Sequence, residues 1–336
     1  MKFGPVPVAE CLGGIIAHAV RRDSLILKKG TPIGALEYGQ LVDAGVGSVV
    51  VAQLEPGDVG EDEAARRLAQ VLAGDHIRVE APFTGRANLF ASISGVLIID
   101  LAAIDAINAP DERITAATLS PFKAVVEGEM VGTVKIIPFA IEAAALASAL
   151  VRCGSGLRIA PFRPHRVALI STLLPGLKSS IIEKTLRVTE DRLTPLGSSL
   201  VAQAQVAHEL GALTRAIQDL EPSADMLIIF GASAISDRLD VIPAAVVAAG
   251  GSVTQLGMPV DPGNLLLLGR TALGVPVLGA PGCARSAREN GFDFVLQRLL
   301  AGLDVSAADI RRMGAGGLLM EIISRPQPRA GGRSDE

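Results

Sequence analysis

The sequence predicts an α/β protein: a mostly parallel sheet with helices on both faces in the carboxy-terminal half, preceded by a smaller, β-rich α+β region. Of its 336 residues, 49% are hydrophobic and only 3% are aromatic, so the core is expected to consist of Ala, Val, Leu and Ile. From residue 167 onward, apolar strand patterns alternate with helical patterns, which is typical of a parallel sheet covered on both faces. Between residues 77 and 137, short apolar runs alternate with turns, which indicates a β-rich module.

The first half contains a few helical patterns among these short runs. The sequence predicts a helix over residues 9–21, a strand, a short helix from residue 35, a strand over 46–51, a charged helix from residue 61 and a helix over 141–152. The helix from residue 61 begins with acidic side chains, which complement the positive end of its dipole.

The second half has the regular alternation. The predicted strands cover residues 167–171, 199–206, 225–230, 252–257 and 275–280, and the predicted helices cover 179–193, 208–220, 240–249, 288–300 and 307–313. We therefore expect an amino-terminal region over 1–160, an α/β domain over 161–324 and a disordered tail over 325–336.

Composition and charge argue against several classes of function. A net charge of -4 and few aromatic rings argue against nucleic-acid binding. Cys11, Cys153 and Cys283 are far apart and form no CxxC motif, which argues against a zinc site or a disulfide framework. The amino terminus lacks a continuous apolar signal segment, and the longest uncharged run, 241–260, is interrupted by Pro and Gly. We expect a cytoplasmic protein that does not interact with membranes.

The segment FGASAISDRLD follows a buried strand pattern and carries the first candidate site. Gly231 begins a tight loop, and Ser233 and Ser236 could donate hydrogen bonds to phosphate or pterin. Asp237 and Asp240 are candidate catalytic residues, and Asp240 is a candidate Mg²⁺ ligand because hard cations prefer carboxylate oxygens. The alternative is an ordinary strand-to-helix turn in which one of the two carboxylates caps the helix.

A second candidate loop, GAPGCARS, also follows a buried strand pattern. Pro281 and Gly282 form a turn, and the backbone N–H groups that follow, together with the Arg285 side chain, could bind phosphate. The alternative is a plain connection in which Cys283 is a small buried residue. A catalytic role for Cys283 is disfavoured because no histidine lies at a recognisable spacing.

Two further loops carry polar residues at predicted strand ends. The candidate ligand contacts are Asp261, Gly263 and Asn264 in GMPVDPGN, and Ser171, Thr172 and Lys178 in STLLPGLK. Lysine could neutralise a phosphate, although the order of Gly and Lys is not that of a P-loop. Pro/Gly loops of this kind can also be simple turns.

These segments, in this order, resemble the molybdenum-cofactor biosynthesis family, which includes molybdotransferases, gephyrin and molybdopterin adenylyltransferases. The strand VALIST resembles the opening of the family's α/β domain, LIIFGASAISDRLDVIP its central motif, and LGAPGCA its later LPGNP motif. GMPVDPGNLLLLG occupies the place of the MKPGKP segment. VAECLGGIIAHAV and LKKGTPIGALEYGQLVDAGVGSVVV resemble the amino-terminal region of molybdotransferases. The resemblance covers most of the chain and is strongest over 167–300.

The resemblance implies a molybdopterin-binding fold and a role in making or modifying the molybdenum cofactor. It implies molybdopterin as ligand, Mg²⁺ and ATP as possible co-substrates, other molybdenum-cofactor enzymes as possible partners, and a homo-oligomer. The chain differs from the family pattern at Gly231-Ala232, at Cys283, and near Ser179, where no carboxylate stands. A transferase, a non-catalytic carrier and an α/β enzyme for another phosphorylated metabolite therefore all remain open.

Overall fold

The computed structural model describes residues 1–152 and 154–319, and the chain divides into two compact units between Pro161 and Phe162. The predicted disordered tail over 325–336 and Cys153 lie outside the described residues. In the part of the chain that is described, no helix is both long and apolar enough to cross a membrane.

The amino-terminal unit consists of small antiparallel sheets and four helices. Its strands are β1 Lys2–Pro7, β2 Ile15–Ile16, β3 Val20–Arg22, β4 Leu25–Leu27, β5 Ser48–Gln53, β6 Asp58–Gly60, β7 Ile77–Val79, β8 Arg86–Ala91, β9 Gly95–Ile99, β10 Ile114–Thr118, β11 Ala124–Val125, β12 Met130–Ile136, β13 Ala140–Glu142 and β14 Leu157–Pro161. Its helices are α1 Ala35–Asp43, α2 Glu61–Leu72, α3 Leu101–Asn108 and α4 Ala143–Arg152. The sheet orders are β1-β5-β2, β10-β12-β8-β7, β11-β9-β14, β13-β6 and β3-β4.

The helix predicted over residues 9–21 is wrong. The chain forms a short 3-10 turn, then β2 and β3, because two glycines interrupt the helical pattern. Gly13 has φ +78°, and a Cβ on Gly14 would lie 3.0 Å from the Cys11 carbonyl oxygen. Ile16 is buried with residues of β4 and β5 in a small core. The apolar residues at helical spacing therefore belong to a sheet and not to a helix.

The other helices predicted in this unit are confirmed as α1, α2 and α4. The acidic residues Glu61, Asp62 and Glu63 form the first turn of α2, as the dipole argument requires. The apolar face of α2, including Leu68 and Leu72, is fully buried in a core shared with β8, β9 and β12. That core contains no aromatic side chain among its buried residues, as the composition indicated.

The carboxy-terminal unit is built on one six-stranded sheet. Its strands are β15 Arg166–Leu173, β16 Ser199–Ala207, β17 Met226–Phe230, β18 Ser252–Leu256, β19 Leu267–Arg270 and β20 Pro276–Ala280, in the spatial order β16-β15-β17-β20-β19-β18. Its helices are α5 Ser179–Leu193, α6 Leu210–Leu220, α7 Val241–Ala248, α8 Gly291–Leu300 and α9 Ala307–Arg311.

The sheet is mixed, so the expectation of a mostly parallel sheet is confirmed in part. Strands β16, β15, β17 and β20 are parallel neighbours, whereas β19 pairs antiparallel with both β20 and β18. Strand β19 was not predicted from the sequence. The chain returns from β18 to β19 through a loop without a crossover helix, and two neighbouring strands joined in this way run antiparallel.

Helices cover both faces of this sheet, as predicted. Alternate residues along each central strand enter two separate cores, because successive side chains of a strand point to opposite faces. We call the side packed against α5, α8 and α9 the α8 face, and the side packed against α6 and α7 the α7 face. In β17, Ile228 and Phe230 lie on the α8 face, whereas Leu227 and Ile229 lie on the α7 face.

Candidate functional site

The connections of β15 and β17 form a topological switch point at the carboxyl edge of the sheet. Strand β15 leads into α5 on the α8 face, whereas its neighbour β17 leads into α7 on the α7 face. The connections that follow these two neighbouring strands therefore leave on opposite faces of the sheet. Open α/β sheets bind ligands at such a topological switch point.

Thr172 ties the end of β15 to the loop after β17. Its side chain is buried, and its Oγ1 accepts a hydrogen bond from the Ala232 N–H at 2.9 Å. The same oxygen lies 2.8 Å from Nδ1 of His208, which follows β16. Thr172 therefore links residues from the ends of three neighbouring strands.

Arg285 approaches the same loop from the other side of the sheet. It ends the 3-10 turn Gly282–Arg285, which follows β20. Its Nη2 donates to the Gly231 carbonyl oxygen at 3.0 Å, its Nη1 donates to the Thr185 hydroxyl of α5, and its guanidinium lies 4.9 Å from the centroid of the Phe230 ring.

Burial governs the electrostatics of Arg285. Desolvation lowers the pKa of its guanidinium from the ordinary value, but arginine stays protonated in proteins. The switch point therefore contains a partly buried positive charge, which would interact more strongly with an anion than a charge in bulk water does.

Ser171 presents an unsatisfied hydroxyl at this edge. It is the register partner of Phe230, so both side chains point to the α8 face. Its Oγ is buried and has no hydrogen-bond partner among the described residues. Buried polar groups are normally paired, so Ser171 stays a candidate ligand contact at the switch point.

The predicted catalytic carboxylates both make local backbone contacts. Asp240 is the N-cap of α7: its Oδ1 accepts from the Val241 N–H at 2.7 Å, and its Oδ2 accepts from the Ser236 N–H at 3.2 Å. Asp237 accepts from the Leu239 N–H at 2.7 Å. Ser233 is exposed in the same loop. Catalysis by these carboxylates stays a prediction.

The structure places the predicted metal ligand, Asp240, at the start of α7. Among the residues that it describes, no group of three or more His, Cys, Asp or Glu side chains is placed to hold a metal ion. Metal binding by Asp240 therefore also stays a prediction, and any further ligands would have to come from substrate or water.

Cys283 lies beside a buried polar network at the start of α8. Its Sγ is 3.7 Å from Oδ1 of Asn290, which caps the helix by accepting from the Phe292 N–H. Asp293 accepts from the Asn290 N–H and is paired with Arg192. Burial raises the pKa of the Cys283 thiol, so the group is a neutral thiol at neutral pH and a poor nucleophile.

The loop with Asp261, Gly263 and Asn264 packs against the start of α8 rather than on the Gly231 loop. The Gly291 N–H donates to the Pro262 carbonyl oxygen at 2.9 Å. A Cβ on Gly263, which has φ +140°, would lie 2.8 Å from Gly291 Cα, so this close approach requires glycine.

The predicted residues thus fall into several groups. Thr172, Gly231 and Arg285 are joined by contacts that run through the Gly231 loop, and Ser171 lies beside them in the sheet. Of the other predicted residues, Pro281, Gly282 and Cys283 lie along the turn that carries Arg285, and Lys178 is exposed at the start of α5.

Two contact residues, His208 and Thr185, are not among the residues predicted from the sequence. His208 directly follows β16, and β16 is the parallel neighbour of β15. A rule that collects polar residues after every strand would have found His208. Thr185 lies inside α5, and no local pattern distinguishes it.

Comparisons with known proteins give a limited result. No protein-family model matches the chain, and no curated protein matches it significantly. Among solved structures, it is similar to the molybdopterin biosynthesis MoeA protein from Pyrococcus horikosii, with 16% identity, coverage of 90% of this chain and 75% of that one, and a TM-score of 0.33. It is also similar to a molybdenum cofactor biosynthesis protein from Pyrococcus furiosus, with 12% identity, coverage of 90% and 66%, and a TM-score of 0.26. Scores this low do not establish a shared fold or activity.

Proposed function

We propose that the carboxy-terminal unit binds molybdopterin in the biosynthesis or modification of the molybdenum cofactor. The observation that carries the proposal is the arrangement at the switch point, where Thr172 and Arg285 hold one loop between them at the ends of three parallel strands. The identity of the ligand rests on the resemblance of the loop sequences to the molybdopterin-binding family.

The residues have distinct roles in this proposal. Arg285 supplies positive charge for the terminal phosphate, since the two contacts described use only two of its five N–H donors. Ser171 would give its unpaired hydroxyl to the ligand. Ser233, exposed in the Gly231 loop, would donate to the phosphate or to a polar edge of the pterin.

A non-catalytic carrier is the second candidate, and one observation favours it. Asp237 and Asp240 are the nearest predicted catalytic groups, and both accept hydrogen bonds from their own loop or helix. If the protein is an enzyme, we propose a transfer at the phosphate or dithiolene of molybdopterin, with electrostatic stabilisation providing most of the rate. An assay of ATP turnover with molybdopterin and Mg²⁺ distinguishes an adenylyl-transferring enzyme from a carrier.

The experiment measures pterin in protein purified from cells that make molybdopterin. The protein is denatured, the released ligand is oxidised, and the fluorescent pterin is quantified by chromatography. We expect a stoichiometric amount in the wild type and at least about a fivefold loss in Ser171→Ala, because removing one buried ligand contact costs about 1–3 kcal/mol. Ser171→Ala should leave the free energy of unfolding nearly unchanged, because the hydroxyl has no partner within the protein.

The matched control is Ser198→Ala. Ser198 is also buried, but its hydroxyl contacts the His165 N–H at the opposite end of the sheet, so its loss should not change the pterin content. Wild-type preparations that repeatedly lack pterin would contradict the proposal. A phosphorylated metabolite found in their place would identify an enzyme of another class.

A further inference from the structure

His208 occupies a defined place beside the switch point. Its backbone N–H donates to the Leu173 carbonyl oxygen at 2.9 Å, which holds the residue next to the end of β15. Its ring is partly exposed, while the Thr172 side chain that it contacts is fully buried. The ring nitrogen nearer to the backbone, Nδ1, makes the contact.

The hydrogen-bonding capacity of Thr172 sets the direction of this contact. A threonine hydroxyl has one donor hydrogen and two acceptor lone pairs. The Ala232 N–H is a donor, so it occupies a lone pair of Oγ1. The hydroxyl hydrogen needs an acceptor, and Nδ1 of His208 is the nitrogen positioned to accept it. This requires the neutral histidine tautomer with its proton on Nε2.

The Gly231 loop is therefore held from both faces of the sheet at two successive residues. Arg285, from the α8 face, holds the Gly231 carbonyl oxygen. Thr172, from the α7 face, holds the Ala232 N–H. The Arg285 contact is independent of His208, but the orientation of the Thr172 hydroxyl depends on it.

We infer that His208 is a positioning residue: by accepting the Thr172 hydroxyl hydrogen, it directs a lone pair of Thr172 to Ala232 and so fixes the Gly231 loop in its ligand-binding geometry. The consequence for binding rests on the proposed function. The positioning itself is a property of the free protein and is tested without any ligand.

The first experiment measures amide hydrogen exchange at Ala232 in the ligand-free full chain. His208→Leu removes the acceptor, and we expect exchange at Ala232 to become roughly tenfold faster, as the loss of a buried hydrogen bond implies. His208→Asn places an amide oxygen near the former Nδ1, and we expect it to restore exchange to within about twofold of the wild type. A role in packing alone would not predict rescue by asparagine.

Two control variants test whether the change in Ala232 exchange arises from the contact between His208 and Thr172. His165→Leu changes a histidine of the same unit that contacts the Arg163 carbonyl oxygen before β15, and it should leave Ala232 exchange unchanged. Thr172→Val should accelerate exchange by itself, and adding His208→Leu should then have no further effect, because both changes break one chain of contacts. Additive effects of the two substitutions would overturn the inference.

Nitrogen NMR of the wild type provides a test that needs no variant. We expect the His208 ring to show an unprotonated Nδ1 and a protonated Nε2, whereas a proton on Nδ1 would overturn the inference.

The molybdopterin content of His208→Leu is then measured by the chromatographic assay. Altered exchange in a wild type that never contains pterin would refute the proposed ligand and leave the positioning role intact; unchanged exchange in His208→Leu would refute the positioning role alone.

Discussion

The Arg285 guanidinium donates a hydrogen bond to the Gly231 carbonyl oxygen at 3.0 Å, which connects the turn after β20 to the loop after its parallel neighbour β17. Another donor of the same side chain reaches Thr185 of α5. One cation thus joins three segments of the chain, and it lies over the Phe230 ring while doing so.

Replacement of Arg285 should therefore affect both stability and binding. We expect Arg285→Met to lower the free energy of unfolding by roughly 1.5–3 kcal/mol, the range for hydrogen bonds to a charged group. Arg285→Lys keeps the charge but lacks the planar guanidinium that reaches two acceptors. Its free energy of unfolding should therefore lie between those of the wild type and Arg285→Met. Urea denaturation measures the change. A Met variant as stable as the wild type would show that these contacts contribute nothing.

The capping of α7 by Asp240 makes a second prediction. Asp240→Ala should lower the free energy of unfolding by about 1 kcal/mol, whereas Asp240→Asn, also a good N-cap, should lower it much less. The comparison variant is Asp237→Ala, which removes only one contact in an exposed loop. If Asp240→Asn retains stability but loses pterin, the carboxylate charge has a role beyond capping. Equal destabilisation by Ala and Asn would contradict the cap.

The buried ion pair of Arg192 and Asp293 should be costly to break. Their side chains are only 11% and 8% exposed. We expect Asp293→Ala to lower the free energy of unfolding by about 3–5 kcal/mol, because it leaves the guanidinium buried without its carboxylate. The matched control is Asp304→Ala, which breaks the exposed pair with Arg270 and should cost at most about 1 kcal/mol. Similar losses in the two variants, measured by urea denaturation, would refute the prediction.

The thiol of Cys283 should contribute to the pH dependence of stability. Burial raises the pKa of this thiol in the folded state, so in alkaline solution the folded state binds more protons than the unfolded state does. The stability that depends on the protonated thiol is then fully present below the pKa of the thiol in the unfolded state. It is lost as pH rises above about 8. As pH rises from about 7 to about 10, we expect the free energy of unfolding of the wild type to fall relative to that of Cys283→Ser. A difference that stays constant over this interval would contradict the argument.

The strand and helix pattern of the carboxy-terminal unit could be predicted because each element carries its own signal. The predicted helix over 179–193 coincides with α5, and the apolar run before Gly231 is β17. The amino-terminal region was harder to predict. Its apolar residues have helical spacing over 9–21, but the Gly13–Gly14 pair allows turns that bring them into a sheet.

The candidate site was predictable in part. Ser171, Thr172, Gly231 and Arg285 were all identified because they follow apolar strand patterns, and the ends of parallel strands meet at one edge. Their contacts were not predictable. Whether Asp240 caps a helix or faces a ligand depends on the direction of its side chain, which residue spacing does not specify.

The sequence by itself therefore determined the α/β class, most elements of the carboxy-terminal unit and the loops at which a ligand could bind, because these follow from local apolar periodicity and turn residues. Only the tertiary structure decided the antiparallel strand β19, the contact between His208 and Thr172, and the unpaired hydroxyl of Ser171. These features depend on which segments lie side by side, and the pairing of distant segments is set by the burial of shared surfaces rather than by any local pattern.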